Sequence, residues 1–553
     1  MRARRLPRRG GADPDDRGRP AHGRRDDPQH HPGGARVSPT YHRVGTRALL
    51  VELGDLDLAL RWHAHLSHHP VPGQVDLIAA ATTVLLVTDS PSHARQAESL
   101  LPRLRPESAS AQATREVEVA VVYDGPDLAD TAKLLGISTE ELIAWHTGTA
   151  WRATFGGFAP GFTYCVPHDR ARARRVPRLD SPRTRVPHGA VGLADSFSAV
   201  YPRTSPGGWR LLGHSPTPMW DATATPPAAI RPGDTVRYRA VRESIEVSPL
   251  ATPPIAGRHL PTLRLTEPGL LSLIQDRGRG GHGDLGVTGS GAADRASAYA
   301  ANSAVGNPAD CAVIENIGGL RATALIDATV AVTGAQAELT INGRPVPLGV
   351  PRLLTAGSTL VLGPATVGQR SYLAVRGGLA AAQVLGSRST DVLSGLGPAA
   401  LQTGEVLRVH PHRGERAARI VVNPLRVRPG EAAVLRCVPG PREAWFEGGL
   451  RSLVDREWVV TPQSNRVGLR LRGQPLRRAR EGELPSEGMV AGCIQVPPQG
   501  TPVVFLRDHP VTGGYPVIAT VIPEDLDLAA QLPAGATVRF AEYQPGSRST
   551  AHE

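Results

Sequence analysis

Three short motifs occur twice, in the same order, in the two halves of the chain. Gly189-Ala190-Val191, Gly207-Gly208-Trp209 and Gly233-Asp234-Thr235-Val236-Arg237-Tyr238 return as Gly488-Met489-Val490-Ala491-Gly492, Gly513-Gly514-Tyr515 and Gly535-Ala536-Thr537-Val538-Arg539-Phe540. One such match arises easily by chance, whereas an ordered set of three points to a duplicated unit. Sixty glycines and 51 prolines in 553 residues, against three methionines, favour short strands and tight turns over long helices. The expected fold is mainly β with α+β subdomains, built around two β-barrel modules in tandem, each carrying a Gly-Gly-aromatic turn.

Punctuation and hydrophobic spacing divide the chain further. Residues 1–40 hold ten arginines, five aspartates and almost no apolar residues, which predicts a disordered basic tail. Residues 41–114 read as a small α+β subdomain, with strands near 47–53, 75–78 and 83–88. Its first helix, 56–69, is expected to bury Leu56, Leu60, Ala64 and His68 on one face; a second, capped by Ser90, runs to Leu101. Residues 115–245 form the first barrel domain, including two short helices about Gly136, the second opened by a Ser138/Glu141 capping box. A proline-bearing linker is expected at 246–262. A β-rich unit follows at 263–415, then the second barrel domain at 416–545 and a tail at 546–553.

Composition removes several functions. Outside the tail the excess charge is small, and no basic stripe with interleaved aromatics suggests nucleic acid. No apolar run is long enough to span a membrane, so the expectation is a soluble, cytoplasmic protein. Cys165, Cys311, Cys437 and Cys493 lack metal or disulfide spacing, and each reads as a free thiol. His63, His65, His68 and His69 have helical spacing but no carboxylate or thiol beside them, so no metal is expected. The chain has a single lysine, Lys133, in a helical context. There is therefore no P-loop, and no hairpin lysine to carry biotin.

The stretch Gly156-Gly157-Phe158-Ala159-Pro160-Gly161-Phe162-Thr163-Tyr164 concentrates aromatics in a chain that is only 4% aromatic. With Gly207, Gly208 and Trp209 it reads as the wall of a cleft, the alternative being that the rings are core. In the second half, Gln275-Asp276-Arg277-Gly278-Arg279, Ser290-Gly291-Ala292-Ala293-Asp294 and Gly386-Ser387-Arg388 set charges in glycine-rich loops. Here too a bland reading exists: Asp276 with Arg279 as a loop ion pair, and Asp294 as a helix cap. His146 is a candidate general base or a structural histidine.

These motifs, together with Pro182-Arg183-Thr184-Arg185-Val186-Pro187, Ser205-Pro206-Gly207-Gly208-Trp209, Tyr372-Leu373-Ala374-Val375-Arg376-Gly377-Gly378, Ile494-Gln495-Val496-Pro497 and Thr512-Gly513-Gly514-Tyr515-Pro516, resemble a fusion of 5-oxoprolinase subunits B and C. That family was once labelled allophanate hydrolase subunits 1 and 2, and it is kin to the carboxyltransferase part of urea carboxylase. The resemblance runs from about residue 41 to 543. It implies cyclophilin-like barrels in both halves and ATP-dependent opening of 5-oxoproline to glutamate, with ATP and Mg2+. It also implies a separate partner, the LamB/YcsF-type A subunit of 5-oxoprolinase, and a small acid as substrate; a homo-oligomer is compatible with it. The alternatives are a carboxyltransferase using biotin presented in trans, as in urea amidolyase, and a sensor-kinase-inhibitor-like binding protein. The catalytic candidates are His146, Gln275, Asp276, Arg279, Ser290 and Asp294. The substrate-binding candidates are Phe158, Pro160, Phe162, Tyr164, Arg183, Gly207, Gly208, Trp209, Arg388, Gln495, Gly513, Gly514 and Tyr515. Phosphoryl transfer needs positioned cations, which Arg277, Arg279 and Arg388 supply. The two barrels are expected to face each other across an arginine-lined hollow that includes Trp209.

Overall fold

The structure, a computed structural model, describes residues 38–106, 115–179, 181, 183–242, 255, 257–411, 417–482 and 484–544. Residues 1–37 of the expected basic tail, the 546–553 tail, and most of the 106–114 loop and the 246–262 linker lie outside the described residues. Strand Leu260–Glu267 begins inside the segment expected as linker.

The small subdomain is a four-stranded antiparallel sheet of β1 (Thr40–Val44), β2 (Ala48–Glu52), β3 (Gln74–Ala79) and β4 (Thr83–Thr88), ordered β1-β2-β4-β3. Helices α1 (Leu56–His68) and α2 (Pro91–Leu100) accompany it. The run Ala48-Leu49-Leu50-Val51 does not alternate with polar residues because both faces of β2 are covered. Leu49 and Val51 pack with Val84, Leu86 and Trp62. Ala48 and Leu50 join Ile78 and Leu85 in a cluster that continues into Met489, Cys493 and Phe505 of the second half. Helix α1 is capped by Asp55, which accepts from Leu58 N–H, and it buries Ala59, Trp62 and Leu66. The expected face of Leu56, Leu60, Ala64 and His68 is thus rotated; the bulky indole of Trp62 sets which side turns inward.

The first barrel comprises β5 (Glu116–Val121), β6 (Trp151–Gly157), β7 (Ala159–Pro167), β9 (Ala190–Ala194), β10 (Phe197–Val200), β12 (Arg210–His214) and β13 (Thr235–Ala240) in the order β12-β9-β10-β7-β6-β13-β5. Strands β8 (Arg183–Val186) and β11 (Ser205–Gly207) form a separate ribbon. A bridge between Val122 and His214 joins the two ends of the sheet. Helices α3 (Leu128–Leu134) and α4 (Thr139–Gly148) follow β5, and α4 opens with the reciprocal Ser138/Glu141 capping box.

The second barrel closes fully and repeats this wiring strand for strand. Ala433–Pro439 stands for β5, Glu457–Val460 for β6, Gly468–Arg472 for β7, Cys493–Gln495 for β9, Val503–Phe505 for β10, Val517–Val521 for β12 and Thr537–Glu542 for β13. Both barrels make their one parallel pairing between first and last strands. Both bury a tryptophan opposite the valine of the last motif, Trp151 with Val236 and Trp458 with Val538. Each indole N–H donates to the carbonyl five residues back. The duplication is therefore real, with one correction of register. Gly189 corresponds to Gly492 and not to Gly488: both have positive φ, +77° and +96°, and both donate their N–H to a carbonyl at the far end of the hairpin that follows, Tyr201 O just beyond β10 and Phe505 O at the end of its counterpart.

One matched position carries opposite charge in the two barrels. Asp127 N–H donates to Leu211 O, and its carboxylate pairs with Arg183 at 2.7 Å. The counterpart Arg442 donates its N–H to Val517 O, pairs with Glu487, the counterpart of Arg183, and reaches Glu52 of the small subdomain at 3.0 Å.

Between the barrels in sequence lies a unit of two packed sheets, one of six strands containing Leu260–Glu267 and one of five containing Leu271–Gln275. Helix α5 (Arg295–Val305) lies on the five-stranded sheet, packing Ala298, Ala301, Ala304 and Val305 against Ala331, Tyr372 and Ala374. The β6–β7 hairpin abuts this unit and the second barrel. A Cβ on Gly156 would lie 2.2 Å from Asp284 O, and Phe158 N–H donates to Thr512 Oγ1 at 3.2 Å. Gly156→Ala must therefore push the halves apart, costing about 1–3 kcal/mol. Denaturant titration showing no change in midpoint would contradict this close approach. No helix among the described residues is long and apolar enough to cross a membrane.

Candidate functional site: an arginine-lined cleft

The small subdomain, the two-sheet unit and the second barrel meet around a cleft of about 720 Å³. The β1–β2 turn, with Gly45 and Arg47, and Asp76 of β3 line one side; the loops at 276–281 and 386–388 line another; Arg507, Val521 and Leu526 come from the second barrel. None of the first barrel's described residues lines it. The hollow is arginine-lined as expected, but it is not enclosed by two facing barrels.

Asp276 builds the loop wall. Its Oδ1 accepts from Ser387 Oγ and Ser389 Oγ, both at 2.6 Å, and from Gly278 N–H at 2.8 Å, while Oδ2 accepts from Arg388 N–H at 2.6 Å. A carboxylate so engaged holds backbone and leaves little capacity for other chemistry. Gly278 has φ +83°, and a Cβ there would lie 2.3 Å from Gly289 O, so only glycine lets the two loops touch. The next residue, Arg279, is 4% exposed. Its Nη2 donates to Ser389 O, but Nε and Nη1 have no partner. Burial lowers its pKa from the ordinary guanidinium value, opposed by the charges of Asp391, Asp276 and Asp508. Arg388 Nε and Arg507 Nε are likewise buried and unpartnered.

Other charges tune the cleft. Arg295 is pulled down to about 9, chiefly by the like charge of Arg507 and then by burial. Asp76 is pushed up to about 6 by burial, while it accepts from Gly283 N–H at 3.1 Å.

Three of the sequence-derived candidates, Asp276, Arg279 and Arg388, come together here with Arg277. The others do not. His146 is fully buried inside the first barrel, bonded to Tyr123 Oη at 2.6 Å and Ser198 Oγ at 2.9 Å, and stacked on Tyr238. Burial pulls its pKa down to about 3. No solvent-accessible path makes it a general base, and the matched positions in the second barrel are Leu453 and, for Tyr238, Phe540, so it is a core residue. Gln275 is fully buried and donates to Thr390 O at 2.8 Å. Ser290, at φ +48°, donates to Asp508 Oδ1 at 2.7 Å, joining the two-sheet unit to the second barrel. Asp294 caps α5 through Ser297 N–H and Ser297 Oγ, and also accepts from Gln531. The helix-cap reading of Asp294 therefore holds.

The first-half candidates are packing residues. Phe162, Tyr164 and Trp209 are buried with Phe155 and Tyr201, Phe158 packing against them; ring centroids lie 5.4 Å apart for Phe162–Trp209 and 5.5 Å for Tyr164–Trp209. Pro160 is buried within β7. Arg183 is held by Asp127, Gly207 lies under the Tyr201 ring and Gly208 O accepts from Leu179 N–H. In the second half Gln495 donates to Tyr515 O at 2.9 Å, Gly513 lies against Gln495 and Met489, Gly514 lies near Leu484 O, and the Tyr515 ring is exposed. None of these borders the cleft. Sequence reasoning missed Arg47, Asp76, Arg295 and Arg507, which stand in ordinary turns, strands and helix starts and gain their meaning only from packing.

The fold and cleft define a duplicated-barrel protein in which the small subdomain of the first half joins the two-sheet unit and barrel of the second around one arginine-lined cleft. Two family models place it in the carboxyltransferase-domain class, with subdomains C and D matching residues 39–230 and subdomains A and B matching 285–542. The 5-oxoprolinase C subunit of Escherichia coli (strain K12) is 34% identical over 285 residues, 51% of this chain and 91% of that protein. The 5-oxoprolinase B subunit of Escherichia coli O157:H7 is 33% identical over 180 residues, 32% of this chain and 82% of that protein. The crystal structure of TTHA0988 matches with a TM-score of 0.79 at 36% identity, covering 90% of this chain and 99% of that one. The chain belongs to the family of 5-oxoprolinase subunits B and C, with a B-like and a C-like region in one polypeptide.

Proposed function

We propose that this chain is the B–C component of an ATP-dependent 5-oxoprolinase, opening 5-oxo-L-proline to L-glutamate in the cytoplasm. It acts with a separate LamB/YcsF-type A subunit, without which it does not turn over. One observation carries this reading: similarity to the B and C subunits falls on two regions that together wall a single cleft. An unstrained lactam resists hydrolysis, and ATP supplies the activation by phosphorylating its carbonyl oxygen. The donor set fits a phosphorylated ligand, since buried guanidinium N–H groups without acceptors stabilise an entering oxyanion more than water-exposed ones do. Arg279 and Arg388 bind and orient that oxyanion, Asp276 keeps their loops in place, and the small subdomain limits access of water. Mg2+ would be held chiefly by the phosphates, whose charge it would help neutralise; among the described residues no group of three or more ligating side chains gathers.

The carboxyltransferase family description favours a second reading, carboxyl transfer from biotin presented by another chain. The deciding experiment is co-purification with a LamB/YcsF-type protein and assay of glutamate from 5-oxoproline and ATP. Glutamate release supports the first reading. Carboxyl transfer between carboxybiotin and an acceptor, releasing biotin, with no glutamate despite the partner, replaces it with the second.

A further inference from the structure

We propose that the cleft is the nucleoside triphosphate site, with the polyphosphate at its arginine end and the base toward its apolar side; this rests on the ATP-coupled reading above. Three observations converge. Arg279 keeps two buried donors, Nε and Nη1, without any acceptor, and Arg388 Nε and Arg507 Nε are also without one, although Arg507 Nη2 pairs with Asp527 at 3.3 Å. A buried donor left unmade is costly, and several in one cleft call for a ligand with many anionic oxygens. The one carboxylate of a small lactam acid cannot serve all these donors, whereas a chain of phosphoryl groups can.

Size is the second observation. A cleft of about 720 Å³ lies in the range that holds drug-sized ligands, and one five-membered lactam leaves most of it empty. Third, the wall away from the loops is apolar, with Val44, Val87, Val490, Val521 and Leu526 among the lining residues, suited to the face of a base. The acidic residues present do not oppose this. Asp276 is consumed by its four donors, Asp89 pairs with His93 at 2.6 Å, Asp76 is anchored by Gly283 N–H, and Asp310 is exposed to solvent. A lysine-bearing phosphate loop is ruled out by sequence, the single Lys133 being on α3.

The test is calorimetric titration of the full chain with ATP, tripolyphosphate, adenosine and 5-oxo-L-proline, repeated on Arg279→Met and Arg388→Gln. The expected result is that ATP and tripolyphosphate bind and compete, ATP more tightly. Arg279→Met weakens both at least tenfold while the melting temperature of the unliganded protein stays level or rises, because a buried guanidinium with two unmet donors has been removed. Arg388→Gln, a polar change beside the same loop, gives a parallel loss and guards against misfolding of the first variant. Unchanged ATP affinity in both variants overturns the proposal, as does competition of tripolyphosphate with 5-oxoproline but not with ATP. Glutamate assays separate the two ideas. ATP binding lost with Arg279→Met, but no glutamate formed by the wild type with its partner, sinks the reaction assignment and leaves the nucleotide site standing; glutamate formation with ATP affinity indifferent to both arginines does the reverse.

Discussion

Arg466→Met lowers the stability of the protein by about 3–5 kcal/mol, the cost typical of stripping one partner from a buried ion cluster. Arg466 is 2% exposed and lies between two carboxylates buried at least as deeply. It donates to Asp508 within its own barrel at 2.9 Å, to Glu315 of the two-sheet unit and to Gly291 O. Without it, Asp508 keeps Ser290 Oγ and Val392 N–H, and Glu315 keeps Ala293 N–H and Tyr372 Oη, but two negative charges stand near each other in the interior. The pH dependence follows from sign. Arg466 holds the Glu315 carboxyl below its usual range against the opposing effect of burial, so that part of the wild-type stability is present at neutral pH and is lost as acid protonates the group. In the variant Glu315 keeps Arg370, at 3.5 Å, as its countercharge, and Asp508, which burial already raises against the pull of Arg466, is raised further, so protonating the pair relieves the loss. The deficit therefore narrows toward low pH from both directions. Denaturant titration at several pH values measures it, and adding Glu315→Gln and Asp508→Asn should recover much of the loss at neutral pH. A single variant that unfolds at the wild-type midpoint would show that the cluster does not couple the barrel to its neighbour.

Trp209→Ala costs about 3–5 kcal/mol as a large-to-small change in a packed interior, and it leaves ligand affinity in the cleft unchanged. The indole, 5% exposed, packs edge-on against Phe162, Tyr164 and Tyr201. The surrounding rings are large and cannot collapse far into the space left behind. Chemical denaturation together with nucleotide titration distinguishes packing from binding: a normal midpoint with weakened ligand binding would return the ring to a functional role.

The duplicated architecture is legible in the sequence because the motifs that recur stand at strand ends, where turn geometry and backbone hydrogen bonds restrict which residues fit. Its register is less legible. Gly488 looks like the partner of Gly189 by identity, but the shared requirement is a left-handed backbone, which Gly189 and Gly492 meet. The aromatic stretch misleads for a related reason. Close-packed glycines show that something approaches the backbone, and here Asp284 and Thr512 of the same chain do so. The charged loops at 276–279 and 386–388 are legible because glycine and arginine are neighbours in sequence. Arg47 and Arg507 are not, since they are far apart along the chain and only a core shared between the small subdomain and the second barrel unites them. His146 illustrates the remaining limit: an imidazole between Tyr123 and Ser198 has the partners of a catalytic base but no access to solvent.

The opposite charges at Asp127 and Arg442 act as a polarity key for assembly. A first barrel docked where the second belongs would set Asp127 against Glu52, the acid that Arg442 now grips, and like charges at such a contact penalise the wrong partner. Two modules that share every strand connection are in this way kept from trading places.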